Sequence, residues 1–153
     1  MVSIIGLSSS FPENKVSQQE ITKFGKSIFS KFGKDFDKML PVYANSGVET
    51  RYIVNELEWY SKEHSWKERN LLFKKNAINL LKDSIAKTFY KTKKKPNDIG
   101  AIVVVNSTGI LTPSLDVELI NQFDLNNDIK KLPIFGYGCA GGVLGLTRGL
   151  EIK

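Results

Sequence analysis

The spacing of apolar positions changes several times along the chain, and each change marks an element. Residues 2–7 (VSIIGL) form a short apolar run with the look of a buried strand, and residues 8–14, with Pro12, break it into a loop. Ser17 stands three places before Glu20, a capping-box spacing that opens a helix carrying Ile21, Phe24, Ile28 and Phe29. A second helical stretch is expected over residues 34–43, ending near Ser46 and Gly47. Residues 48–54 turn to period two, with Val48, Thr50 and Tyr52 alternating with polar partners, and read as a strand.

Residues 65–91 hold the longest helical pattern, with Leu72, Asn76, Leu80 and Ile85 in a stretch rich in Leu, Ala, Lys and Asn. It must stop before Pro96, because a proline drives its predecessor out of the helical region. Residues 99–105 follow, and the β-branched run from Ile102 to Val105 is that of a parallel strand buried on both faces. After a loop with Gly109 and Pro113, a short helix carries Leu115, Leu119 and Ile120. A strand over residues 132–137 then leads through Gly136 and Gly138 into a last helix. This alternation predicts an α/β sheet built from right-handed crossover units. No internal repeat or low-complexity linker interrupts it.

Composition narrows the chemistry. A length of 153 residues suits one domain with a sizeable core. The opening apolar run has no basic region ahead of it, and no stretch approaches the roughly 20 apolar residues of a membrane span, so the cytoplasm is the expected location. One cysteine excludes an internal disulfide, and with His64 as the sole histidine a structural zinc site has too few ligands. The net charge of +6 suits an anionic partner: nucleic acid, an acidic carrier protein, or a phosphate-bearing small molecule such as coenzyme A. Much of the excess lies in Lys91, Lys93, Lys94 and Lys95, where a solvated helix end explains it. No interleaving of aromatics with arginine suggests a nucleic-acid surface.

The segment FGYGCAGGVLGLTRGL carries the candidate chemistry, and it supports two readings. Gly136, Gly138 and Gly141 have the G-x-G-x-x-G spacing of a dinucleotide turn, but the acidic residue needed about 20 positions on has no place in the chain. The other reading starts from Cys139, placed at the N-terminus of the last helix between the small residues Gly138 and Ala140. A helix N-terminus favours negative charge and hence the nucleophilic thiolate form of a cysteine. Small neighbours admit an acyl thioester, and nearby backbone N–H groups can hold a developing oxyanion. Local physics leaves open a cysteine that is simply packed as a small apolar residue.

Residues 106–116 (NSTGILTPSLD) and 132–149 (LPIFGYGCAGGVLGLTRG) closely resemble, in order and separation, paired segments of bacterial type III polyketide synthases, relatives of chalcone and stilbene synthases. Residues 47–52 (GVETRY) and the opening run to Pro12 add weaker agreement. The resemblance implies a thiolase-like fold with a mostly parallel sheet and crossover helices, truncated after the nucleophile helix. Residues 1–153 would be a partial N-terminal domain, with its remainder and the C-terminal half absent. It makes Cys139 the nucleophile that takes a starter acyl group from coenzyme A, before condensation with malonyl units. Among substrate-binding positions it places Ser107 lining the site, Thr112 on the loop that reaches across a homodimer interface, and Arg51 ahead of the coenzyme A tunnel. For each of these three a plain structural role stands beside the specific one. Acyl-CoA and malonyl-CoA enter as substrates, with no cofactor and no metal.

The family chemistry also uses a His and an Asn from later in the chain, and neither is assigned here. His64 precedes the cysteine and is expected at the surface or at a helix start. Gly141, Gly145 and Gly149 form a stripe on the last helix, each costing about 0.5–1 kcal/mol against alanine, so a backbone of the second half is expected to approach along it. The isolated chain would then expose apolar surface and lack condensing activity unless a second polypeptide supplies the rest. Two alternatives remain: another thiolase-fold condensing enzyme, such as a ketoacyl carrier protein synthase III or a hydroxymethylglutaryl-CoA synthase, or a non-catalytic remnant serving as an interaction subunit.

Overall fold

Ser17 caps the first helix, as its spacing from Glu20 predicts. In the computed structural model, which describes residues 2–29 and 33–152, the chain divides into two units: residues 11–64, and residues 1–10 together with 65–153. In the unit of residues 11–64, β1 (Asn14–Ser17) pairs antiparallel with β2 (Thr50–Ile53), Asn14 opposite Ile53 and Ser17 opposite Thr50. Ser17 ends β1 and opens α1 (Gln18–Phe29) with a reciprocal cap. Its Oγ accepts from the Glu20 N–H at 3.2 Å, and its own N–H donates to Glu20 Oε2 at 2.8 Å. Hydrogen bonds from the Ser17 hydroxyl and then its backbone hold the Glu20 carboxyl below the usual range.

The helix predicted over residues 34–43 is two helices, α2 (Lys34–Met39) and α3 (Pro41–Asn45). Pro41 has no N–H to continue α2 but suits the first position of a new helix, so the chain restarts there. A single turn, α4 (Leu57–Tyr60), was not visible in the pattern. Gln18 organises this unit from a buried position. Its Nε2 donates to the Tyr43 carbonyl at 2.9 Å and to Ser46 Oγ at 3.3 Å, while its Oε1 accepts from Arg51 Nε at 2.9 Å.

In the other unit Ser65 opens α5 (Trp66–Thr92) with a second reciprocal cap. Its Oγ accepts from the Glu68 N–H at 3.2 Å and its N–H donates to Glu68 Oε2 at 2.8 Å. The helix ends at Lys93, which turns left-handed (φ 58°) ahead of Pro96. Ser65→Ala is expected to cost about 1 kcal/mol. Denaturant unfolding should read this as a lower midpoint at unchanged slope.

β3 (Ala101–Asn106) and β4 (Lys130–Phe135) pair in parallel, from Ala101 opposite Lys130 to Asn106 opposite Phe135, and α6 (Leu115–Phe123) makes the crossover. Beneath it lies the core: Ile120, Leu125 and Ile129 packed with Phe89, Ile99, Ile102 and Phe123. Phe89 and Phe123 meet edge to face at 5.9 Å. β4 ends two residues before the predicted strand, because Gly136 takes φ 82°. α7 (Gly141–Glu151) follows.

Two expectations are corrected. Residues 2–7 form no strand. They run beside α5, whose polar side chains bind the segment in place of a ladder. Ser84 Oγ donates to Ser10 Oγ at 2.8 Å, Lys91 Nζ donates to the Leu7 carbonyl at 3.0 Å, and Gly6 lies so close to Thr92 that a Cβ would stand 2.4 Å from its Cγ2. Val2, Ile4, Ile5 and Leu7 are exposed. Nor is β3 buried on both faces. Its side chains divide by parity, with Ile102 in the core cluster and Val103 and Val105 toward α7. The described sheet is two strands wide, so both faces stay partly open and Val105 is 38% exposed. Among the described residues no helix is long and apolar enough to cross a membrane.

Candidate active site

The ends of the two parallel strands build the site. β3 finishes at Asn106 and β4 at Phe135, and the chain leaves β4 through Gly136 (φ 82°), Tyr137 and Gly138 (φ 51°). Both glycines take left-handed backbone that a side chain would strain. Cys139 follows within a 3₁₀ turn, Gly138–Ala140, closed by the Ala140 N–H donating to the Tyr137 carbonyl at 3.1 Å. The cysteine was expected at the helix N-terminus, but α7 starts two residues later at Gly141. Its thiol is exposed, with no hydrogen-bond partner among the described residues.

Two consecutive residues of β3 and its exit hold this turn. The Asn106 carbonyl accepts from the Gly136 N–H at 3.1 Å, and Ser107 Oγ accepts from the Gly138 N–H at 3.1 Å. Ser107 therefore stands beside the turn that carries Cys139.

The loop between β3 and α6 is pinned from within and from α5. Asn106 Oδ1 accepts from the Thr108 N–H at 2.8 Å, and its Nδ2 donates to the Gly109 carbonyl at 2.6 Å. Asn70 on α5 reads both backbone groups of Ile110, accepting from its N–H at 3.0 Å and donating to its carbonyl at 2.9 Å. Gly109 rests on Phe73, whose ring a Cβ would meet at 2.0 Å. Thr112 lies exposed beyond these anchors, joined to Pro113 by a cis peptide bond. Asn70, Phe73 and Asn106 were missed as supports. The available signal was Asn70 itself, a poor helix former inside a long helical pattern.

Arg51 lies on β2 in the unit of residues 11–64, where its Nε donates to Gln18. His64 belongs to that unit too, stacked on Trp59 at 3.9 Å between centroids with its Nε2 3.0 Å from the Trp59 carbonyl. It stands just ahead of the α5 cap, at the helix start foreseen for it. Among the described residues, no group of three or more His, Cys, Asp and Glu side chains is placed to hold a metal ion.

The glycine stripe on α7 has a nearer explanation than the one expected. A Cβ at Gly141 would lie 2.6 Å from Val105 Cγ1, and one at Gly145 would lie 2.6 Å from Val105 Cγ2, so both glycines let α7 settle on β3. Gly149 meets nothing within 4 Å. The outward face of α7 carries Val143, Leu146 and Leu150, all exposed. Leu146 and Leu150 border an open groove of about 430 Å³ with Val2, Ile4 and Val103.

Residues 9–149 match the family described as FAE1/Type III polyketide synthase-like protein. The chain belongs to that family. Within it, a chalcone synthase-like protein of Bacillus subtilis strain 168 is 30% identical over 99% of this chain and 43% of its own length. A 1,3,6,8-tetrahydroxynaphthalene synthase of Streptomyces peucetius is 25% identical over 95% of this chain and 39% of its own. The crystal structure of 1,3,6,8-tetrahydroxynaphthalene synthase from Streptomyces coelicolor A3(2), described as a bacterial type III polyketide synthase, superposes with a TM-score of 0.84 at 25% identity, over 94% of this chain and 41% of that one. The chain thus spans about two fifths of the length of these relatives. The fold is that of the N-terminal portion of a type III polyketide synthase.

Proposed function

We propose that this chain supplies the nucleophile of a type III polyketide synthase, with Cys139 accepting an acyl group from a coenzyme A thioester. The observation that carries the reading is the clamped glycine turn at the ends of β3 and β4, which presents an exposed thiol between small residues. In the transfer, Cys139 Sγ attacks the thioester carbonyl. The new carbon–sulfur bond forms as the bond to coenzyme A breaks, and the departing thiolate takes up the proton lost by the cysteine. A malonyl-CoA unit then loses carbon dioxide, and its carbanion attacks the acyl carbonyl to release Cys139 and lengthen the chain by two carbons.

Ser107 and Thr112 border the acyl group in this reading, and Arg51 braces the β1–β2 unit instead of touching substrate. No cofactor is required beyond the two thioester substrates. Nothing in residues 1–153 is assigned to stabilise the developing oxyanion during decarboxylation, since His64 is engaged at Trp59. Those groups, and the surface that covers Val143, Leu146 and Leu150, come in our reading from the second half of the fold on further polypeptide. The complete assembly is a homodimer with Thr112 at the subunit boundary.

The 153-residue chain mixed with hexanoyl-CoA should release free coenzyme A in a single burst of about one equivalent, followed by no sustained turnover when malonyl-CoA is added. Chromatographic quantitation of coenzyme A and of polyketide products reads both. A chain that releases no coenzyme A is the interaction subunit, and one that turns over steadily carries the complete catalytic set.

A further inference from the structure

We propose that Ser107 is a positioning residue for the nucleophile: its hydroxyl clamps the turn that carries Cys139 and so sets the approach of the thiol to an acyl thioester. This inference rests on the acyl-accepting reading of Cys139 and adds a role that neither the resemblance nor the relatives assign.

Two of the three residues between β4 and Cys139 are glycines in left-handed conformations, Gly136 and Gly138. Glycine has the widest conformational range of any residue, so such a turn has little stiffness of its own. Its order is imposed from β3. The first restraint, from the Gly136 N–H to the Asn106 carbonyl, uses backbone only and survives any side chain at 106. The second, from the Gly138 N–H to Ser107 Oγ, exists only when residue 107 carries an oxygen at the γ position. Serine and threonine supply it, and alanine does not.

This second bond reaches the residue directly before the nucleophile. Ser107 is well placed to transmit order, because the corner it stands on is itself closed by Asn106 Oδ1 accepting from the Thr108 N–H. Parallel pairing of Asn106 with Phe135 brings the two strand ends level, which sets residue 107 opposite the turn. Without the hydroxyl, Gly138 is free to rotate and Cys139 Sγ no longer dwells where a bulky thioester can meet it. Acyl transfer depends steeply on that geometry. A small alkylating agent approaches an exposed thiol from many directions and depends on it far less.

The test compares the 153-residue chain with its Ser107→Ala and Ser107→Thr variants. Ser107→Ala should slow acyl transfer from hexanoyl-CoA about tenfold, the loss of one ordinary hydrogen bond expressed at the reacting atom. Alkylation of Cys139 by iodoacetamide should stay within about twofold of the parent rate, since the thiol remains exposed. Exchange of the Gly138 amide, followed by NMR, should quicken about tenfold in Ser107→Ala. Ser107→Thr should restore acyl transfer and Gly138 exchange and leave alkylation at the parent rate.

Unchanged Gly138 exchange or unchanged acyl transfer in Ser107→Ala overturns the positioning role alone. So does a parallel fall in acyl transfer, alkylation and unfolding temperature, which would mark a merely structural residue. A parent chain that takes no acyl group overturns the acyl-accepting reading together with this one.

Discussion

Cys139→Ala is expected to abolish acyl transfer from hexanoyl-CoA, lowering the rate of loading by roughly three orders of magnitude or more, as removal of a covalent nucleophile does. The fold should hardly notice. The thiol is exposed and bonded to none of the described residues, so its loss should shift stability by no more than about 0.5 kcal/mol. The combination of intact thermal unfolding and absent loading separates a nucleophile from a packing residue. Retained loading in Cys139→Ala would mean that another side chain carries the acyl group. The lysines are the candidates, because an amine that attacks a thioester keeps the acyl group as a stable amide.

The second large effect belongs to the glycines beneath the nucleophile. Gly145→Val begins with a Cβ 2.6 Å from Val105 Cγ2 and adds two methyl groups beyond it. Val105 is short and β-branched, so it has little freedom to give way. Overpacking of this kind costs about 1–3 kcal/mol. At about 2–4 °C per kcal/mol for a chain of this size, the loss is visible in a thermal melt. It should also reduce acyl loading, because α7 carries the turn away from β3 as it shifts. Gly149→Ala is the control on the same helix: nothing lies within 4 Å, and the gain in helix propensity, up to about 0.5–1 kcal/mol, should raise the melting temperature. A raised melting temperature at both 145 and 149 would show that helix propensity alone governs both sites.

The contrast between these glycines also marks where the sequence was legible. Four-residue spacing revealed a stripe of small residues and hence a close approach, but periodicity names no partner. The partner at 141 and 145 is Val105, a residue of the chain's own sheet. Helix starts were the most readable features, since Ser17 with Glu20 and Ser65 with Glu68 state a local hydrogen-bond pattern in three residues. Strand identity was less readable. Residues 2–7 have the composition of a strand, yet a ladder needs a neighbour that composition cannot supply, and in the structure α5 holds the segment.

The site was legible in its centre and not in its supports. Cys139 stood out through its glycines and the motif around it, and Ser107 through the paired segment over residues 106–116. Asn70 could not be paired with Ile110 from sequence, because 40 residues separate them and a backbone-reading amide leaves no motif. Arg51 carried both a substrate-side and a plain structural reading, and its bond to the buried Gln18 could not be foreseen across 33 residues.

Peptide mapping by mass spectrometry tests the nucleophile directly. The chain is incubated with hexanoyl-CoA, then with malonyl-CoA, and digested under conditions that keep thioesters intact. The expected result is a hexanoyl group on the peptide containing Cys139 and nowhere else, with no two-carbon extension after malonyl-CoA. An unmodified Cys139 peptide, or an acyl group confined to another residue, would contradict the assignment of Cys139. A ladder of two-carbon extensions would contradict the view that these 153 residues hold the nucleophile without the rest of the catalytic set.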